Sequence, residues 1–286
     1  MIKVKQYLLV VTMSHDNKSD ECGGAEVERV EKARSFPAVG ALNKLTGLVR
    51  RCIEDYDMIA DGETVAVGVS GGKDSLALLC ALANLRGYYP KRFELHAVTL
   101  DMGFAGTDFS PIKELCDELG IPYLVRLTEI SKVIFQERKE KNPCALCAKM
   151  RRGALHDVIR DLGIKKLALA HHFDDTVETF MLSLLYEGRL NCFQPVTYMS
   201  RADITQIRPM LYVGENTIIN LVGCQGLPVV YNPCPMNGAS KREEVKMLLK
   251  TLGASYPGLK GKIFGAIQRL PLKGWEAEEF AKRPPP

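Results

Sequence analysis

Three short stretches carry residue types whose order could do chemistry. The first is VSGGKDS, from Val69 to Ser75. An apolar strand that runs into two glycines, a lysine and a helix gathers backbone N–H groups and the positive end of a helix dipole at one point, which suits an anion. Gly71 and Gly72 let the chain turn and let a phosphate approach with no Cβ between. The common G-x-x-x-x-G-K-[ST] phosphate loop does not fit, because Val67 stands where its first glycine belongs and Asp74 follows Lys73.

The second stretch is NPCALCAKMRR, from Asn142. Cys144 and Cys147, three apart at a helix start, face one way, and Arg151, four residues on, shares that face. The third is NPC, from Asn232, where Cys234 repeats the asparagine-proline approach between Pro233 and Pro235 and is the best candidate for a third cysteine ligand. Cys192 and Cys224 stand open as a fourth. A structural zinc site needs four ligands, and no second CxxC supplies one, so three thiolates around an iron-sulfur cluster with one open iron suit the count better. Cys52, Cys80 and Cys116 read as core. Asp174 and Asp175 lie where a strand passes into a helix; they read either as carboxylates that hold Mg²⁺ or orient a base, or as helix caps. His171 and His172 are either ligands or hydrogen-bonding residues that end a buried strand.

Positioning these groups is the task of the elements between them. An amphipathic helix is expected from Ala41 to Ile53. Apolar runs at 65–69, 95–101, 122–128 and 166–172 then alternate with helical stretches. That alternation predicts an α/β fold, Rossmann-like, with an open, mostly parallel sheet covered by helices on both faces. Beyond Gly188, a strand is expected at ITQIRPM (204–210), a helix from Glu215 to Val222, a short strand at LPVVYN (227–232) and a helix from Lys241 to Leu252. The division this implies is a leader at 1–35, one nucleotide-binding domain at 36–255 and a tail at 256–286 that ends in PPP.

Composition sets the bounds. The 286 residues, 46% hydrophobic and 25% charged, have globular proportions. A net charge of +4 permits a nucleic-acid partner without requiring one. The run Tyr7 to Val11 is short for a signal-peptide core and is followed by a polar stretch, and nine cysteines then point to a reducing cytoplasm. No run approaches a membrane span, so no membrane partner is expected.

SGGKDS resembles the PP-loop of the ATP pyrophosphatases, enzymes that split ATP between its α and β phosphates. The resemblance implies that Ser70, Gly71, Gly72, Lys73, Asp74 and Ser75 hold the pyrophosphate part, that Mg²⁺ assists, and that adenine lies across strand ends near Val67 and Leu100. The order of SGGKDS, NPCALCAKMRRGALHDV, ALAHHFDDTVETF, IRPMLY and NPC is similar to that of the tRNA 2-thiocytidine synthetase family, and more broadly of the tRNA thiolases, over about residues 42 to 252. In that family three cysteines hold a [4Fe-4S] cluster. The resemblance therefore implies Cys144, Cys147 and Cys234 as cluster ligands, and Asp74, Arg151, Asp174 and Asp175 as the catalytic neighbourhood. It also implies tRNA as substrate, an anticodon-loop cytidine 32 as the base, and sulfide or the persulfide of a cysteine desulfurase as sulfur donor; a homodimer is left open. Ala170 stands beside the ATP site where the family often has glycine, and Asn237 where it often has a further cysteine. Lys139, Lys141, Lys149, Arg151 and Arg152 could meet tRNA phosphates. Two other readings stay open: a different adenylating PP-loop enzyme, such as a thiouridine or lysidine synthetase or an amide ligase, and a metal-bearing RNA-binding protein without turnover.

Overall fold

Val65, Ala66 and Val67 are wholly buried in β1 (Glu63–Gly68), as a strand covered on both faces must be. β1 pairs in parallel with β2 (Phe93–Asp101) on one side and β4 (Lys166–Ala168) on the other. β3 (Tyr123–Leu127) continues the sheet beyond β2, and β6 (Ile204–Ile207) beyond β4. An antiparallel β5 (Val196–Met199) closes the far edge, giving the order β3-β2-β1-β4-β6-β5. This is the expected α/β fold with an open, mostly parallel sheet. The computed structural model describes residues 36–138, 143–236 and 241–270. The leader, Lys139, Lys141, Asn142, Asn237 and the last residues of the tail lie outside the described residues.

The helices follow from the same pattern. α1 (Phe36–Asp55) buries Leu45, Val49, Cys52 and Ile53, the apolar stripe of its sequence. α2 (Lys73–Arg86) is buried almost all round, which fits its uninterrupted run of leucine and alanine. α3 (Ser110–Leu119) is amphipathic and buries Ile112, Leu115, Cys116 and Leu119. A short α4 (Ile130–Lys132) runs into a π-helical turn, Val133–Glu137. α5 (Pro143–Asp161) buries Val158 and Ile159 only in its second half. α6 (Phe173–Leu182) continues into a second π-helical turn, Ser183–Glu187. α7 (Glu215–Gln225), α8 (Lys241–Ser255) and α9 (Leu259–Arg269) complete the fold.

The structure departs from expectation at several points: β5 was not expected, and the strand expected at 204–210 stops at Ile207, before Pro209. Residues 227–232 form no strand: Val230 N–H donates at 2.9 Å to Gly71 O, so this extended segment pairs with the phosphate loop instead of with a sheet edge. The stretch read as a tail contains α9, whose Phe264 and Ile267 enter the main core. The run 166–172 keeps a ladder for only three residues, after which Leu169 N–H bonds Ile207 O and His172 makes a single bridge to Met210.

Candidate functional site

β1 ends at Gly68 and α2 begins at Lys73, so the loop between them lies at the carboxyl end of the central strand. Its shape is held internally. Ser70 N–H donates to Ser75 Oγ at 3.1 Å, Ser75 Oγ donates to Gly72 O at 2.9 Å, and Gly72 N–H reaches Ser70 Oγ at 3.4 Å. Gly71 has φ +83°, and a Cβ there would stand 3.0 Å from Val230 Cβ, so only glycine suits both the turn and the segment packed on it.

The loop opens on a cavity of about 690 Å³. Ser70 and Gly72 line it from the loop and Leu100 from β2; Cys144, Cys147 and Arg151 line it from α5; Cys234 lines it from the segment tied to Gly71. The half of α5 that makes no core contact thus overhangs the end of the strands. Asn232 Oδ1 accepts the Cys234 N–H at 3.1 Å, a local turn that sets this cysteine's direction. Burial pushes the Cys147 thiol up, Arg151 pulls it down, and Cys234 and Cys144 act on it electrostatically, which marks the three sulfurs as neighbours.

These thiols can be tested as a ligand set. Among the described residues no three His, Cys, Asp or Glu side chains are already drawn together as a metal-holding group. Cys144, Cys147 and Cys234 are nonetheless the cysteines on the cavity wall, while Cys192 and Cys224, the candidates for a fourth ligand, are not on it. Cys192 Sγ faces Thr176 O at 3.5 Å and Cys224 Sγ faces Asn220 Oδ1 at 3.5 Å. Cys52, Cys80 and Cys116 are buried, with burial raising their thiols far above the usual range. Three thiols with no fourth on this wall among the described residues fit a cluster with one open iron better than four-coordinate structural zinc.

Of the remaining described sequence candidates, His171 and Arg152 also line the cavity, and the others lie off its wall. Val67 and Ser75 are buried, and Ala170 packs against the core. Lys73 Nζ pairs with Asp74 at 2.7 Å and with Glu215 at 3.2 Å. Burial works against the lysine's charge, but the two acids outweigh it and its pKa ends above the ordinary value. Asp174 accepts from Lys260 at 2.5 Å and from the Glu215 N–H at 2.8 Å; these offset the cost of burial and hold its carboxyl below the usual range. Asp175 accepts the His172 N–H at 3.0 Å, which is the capping role, and pairs with Arg242 at 3.0 Å. His172 is buried among Asp74, Asp174 and Asp175, at 3.7, 3.8 and 3.4 Å. Both aspartates of the pair are therefore engaged by protein groups.

Sequence reasoning passed over Gln206, Arg208, His156, Glu215, Arg242 and Lys260. Arg208 is 6% exposed, and Gln206, 4% exposed, lines the cavity with His171. A charged residue at the end of a buried apolar strand was the one signal that could have pointed to Arg208.

A family model described as the PP-loop domain matches residues 44–246. The chain is 36% identical to the tRNA-cytidine(32) 2-sulfurtransferase of Pelobacter propionicus, over 84% of this chain and 89% of that one. It is 38% identical to the tRNA-cytidine(32) 2-sulfurtransferase of Syntrophotalea carbinolica, over 79% and 87%. Among solved structures it is similar to the U34-tRNA thiolase NcsA from Methanococcus maripaludis with its [4Fe-4S] cluster, with a TM-score of 0.67 and 25% identity over 82% of this chain and 79% of that one.

Proposed function

The chain belongs to the PP-loop domain family and to the tRNA-cytidine(32) 2-sulfurtransferases, and on that premise we propose that it uses ATP to replace the C2 oxygen of cytidine 32 in tRNA with sulfur. The observation that carries this reading is the single cavity shared by Ser70, Gly72, Arg151 and the three cysteines. A nucleotide loop alone would serve any adenylating enzyme. Three thiols facing it are needed only where sulfur or a cluster takes part.

Base O2 attacks the α-phosphorus, the bond to the β-phosphate breaks, and pyrophosphate leaves. The first N–H groups of α2, from Lys73 to Ser75, with the Lys73 ammonium, hold the departing pyrophosphate. Mg²⁺ belongs beside these phosphates and is their counter-charge. Arg151, on the overhanging helix, supplies a two-pronged donor to the α-phosphate oxygens as charge builds there. Adenylation turns a poor leaving group into AMP, which carries the old oxygen away when sulfur bonds to C2. A [4Fe-4S] cluster bound by Cys144, Cys147 and Cys234 would supply one iron free of protein thiolate at which sulfur is delivered. Leu155, Leu167 and Leu169 line the same cavity and exclude water that would otherwise attack C2.

The test is anaerobic incubation with ATP, Mg²⁺, sulfide and tRNA, followed by nucleoside mass spectrometry. Two-thiocytidine is expected from the native chain, and its loss in Cys144→Ala, Cys147→Ala and Cys234→Ala, while Cys224→Ala retains it. Full activity of Cys234→Ala would sink the three-thiolate reading, and pyrophosphate release with no two-thiocytidine from the native chain would favour another adenylating PP-loop enzyme.

A further inference from the structure

The cavity has a polar end that neither the loop nor the cysteines use. In the pleat of this sheet Gly68, Val98, Leu100, Leu167, Leu169 and Gln206 all line it. Gly68 lies on β1 between two sides, and a Cβ there would stand 3.3 Å from Leu169 and 3.5 Å from Leu155. On the β2 side the lining is mostly apolar and aromatic, with Leu100, Met102, Phe104 and Phe135 beside the polar Asp101, Thr107 and Ser131. Toward β4 and β6 it ends in Gln206 and His171.

Gln206 is held in one orientation. Its Oε1 accepts from Arg208 Nη2 at 3.4 Å, and its Nε2 lies 2.7 Å from His156 Nε2. A guanidinium only donates, so the amide oxygen must face Arg208 and the amide nitrogen must face His156. Arg208 is fixed in turn by Thr197 Oγ1 at 3.1 Å and Gln194 O at 2.5 Å. One N–H of Gln206 then goes to His156, and the other has no partner among the described residues. His171 Nδ1 on the same wall is also buried with no partner among the described residues. Buried donors and acceptors are rarely left unpaired, so this edge is shaped for a ligand that completes it. His156 belongs to α5, the helix that bears Cys144, Cys147 and Arg151, which places the edge beneath the sulfur-bearing helix.

We propose that the β4–β6 end of the cavity seats the base to be thiolated, and that the free N–H of Gln206 selects cytosine over uracil. The assignment rests on the tRNA-thiolation reading and goes beyond it by naming the selecting residue. Ring N3 of cytosine is a bare acceptor that takes the Gln206 hydrogen. Ring N3 of uracil carries a hydrogen of its own, and two buried donors would then face each other unpaired. His171, kept neutral by burial and by nearby Arg208, adds an uncharged ring nitrogen at the same edge. An adenine edge also offers ring-nitrogen acceptors, and the apolar β2 side is the better adenine seat.

The decisive variant is Gln206→Glu. Its carboxylate still accepts from Arg208, and from His156 after that ring moves its proton, so the packing is kept while the free donor becomes an acceptor. Binding of two anticodon stem-loops, with cytidine or uridine at position 32, would be measured on anaerobically purified protein without ATP, beside thiolation of each and the KM for ATP. The native chain is expected to favour cytidine, and Gln206→Glu to lower the cytidine-to-uridine ratio by about tenfold or more, with the KM for ATP within about twofold. Gln206→Met, which keeps volume but offers neither group, should bring the ratio to about one. An unchanged ratio in both variants overturns the assignment, and a raised KM for ATP with no change in the ratio gives the edge to adenine instead. Because the ratio is read in binding, it decides the assignment whether or not the native chain thiolates either loop.

Discussion

Arg151 stands where residue type matters as much as position. It lies four residues past Cys147, lines the cavity and pairs with no carboxylate among the described residues. Arg151→Ala should cost about 10²–10³ in kcat, the usual loss when one donor to a developing anion is removed. Arg151→Lys keeps the charge but not the fork and should recover only part of it. A normal kcat in the alanine variant would take this arginine out of the chemistry. His171 makes a pH prediction. Burial, with Arg208 second, brings its pKa down from 6.5 to about 4 in the folded chain. The unfolded chain therefore binds more protons between those values, and stability falls as pH drops through that window. Asp174 acts with the same sign at lower pH: its carboxyl is held below the usual range, so its contribution is present above that range and is lost as pH falls toward the depressed value. Melting of His171→Asn between pH 7 and pH 5 should be flatter than that of the native chain; an equal slope would mean that another group sets it. At this scale the loop and the cysteines were legible because each motif is local in sequence. Gln206 and Arg208 were not, because their partners His156, Gln194 and Thr197 meet them only once β6 lies between β4 and β5 and beneath α5.

Among elements, the segment after α7 shows how a strand-like composition can serve another purpose. Its hydrogen bond to Gly71 ties the third cysteine to the phosphate loop, so nucleotide and thiol sites share one backbone contact. Gly71→Ala would meet Val230 at 3.0 Å and place a side chain at φ +83°, a conformation that costs about 1–2 kcal/mol. The expected result is a lower Tm together with both a raised KM for ATP and reduced iron content. A change in ATP binding alone would mean that the two sites do not share this contact. α9 is hard to read from sequence, because two glycines lower its helix propensity and Tyr256-Pro257-Gly258 looks like an ending. Packing overrides that preference: Phe264 meets Phe173 at 4.9 Å between ring centroids, and Lys260 reaches Asp174. β5 escaped notice because four residues carry too little alternation to stand out, and it exists as the hairpin partner of β6. The helices of the central α/β units were legible because their apolar periods are long and their faces are covered by the sheet itself.

For the whole molecule, the net charge of +4 says little about where RNA would lie, since most cations on the described surface are spent on neighbouring acids. The exceptions at the site are informative. Lys149, Arg151 and Arg152 are exposed within about one turn of α5, and none pairs with a carboxylate among the described residues. They stand on the helix that carries two of the cysteines, at a cavity whose lip also bears Tyr231, 80% exposed. Unpaired cations beside an exposed aromatic ring suit a single-stranded loop, with phosphates on the former and a base stacked on the latter. If these cations contact phosphates, each releases a counterion on binding, and the slope of log K against log salt measures how many do. Lys149→Ala and Arg152→Ala should each weaken anticodon stem-loop binding at low salt and flatten that slope by about 0.7–0.9. Neither should change the preference between cytidine and uridine at position 32, because phosphate contacts carry no base information. Tyr231→Leu should weaken binding without altering the slope, and Tyr231→Phe should leave it near the native value, since a ring without its hydroxyl still stacks. An unaltered slope in both cation variants would place the RNA backbone elsewhere on the molecule and leave α5 as a helix that holds thiols and the α-phosphate but not the tRNA.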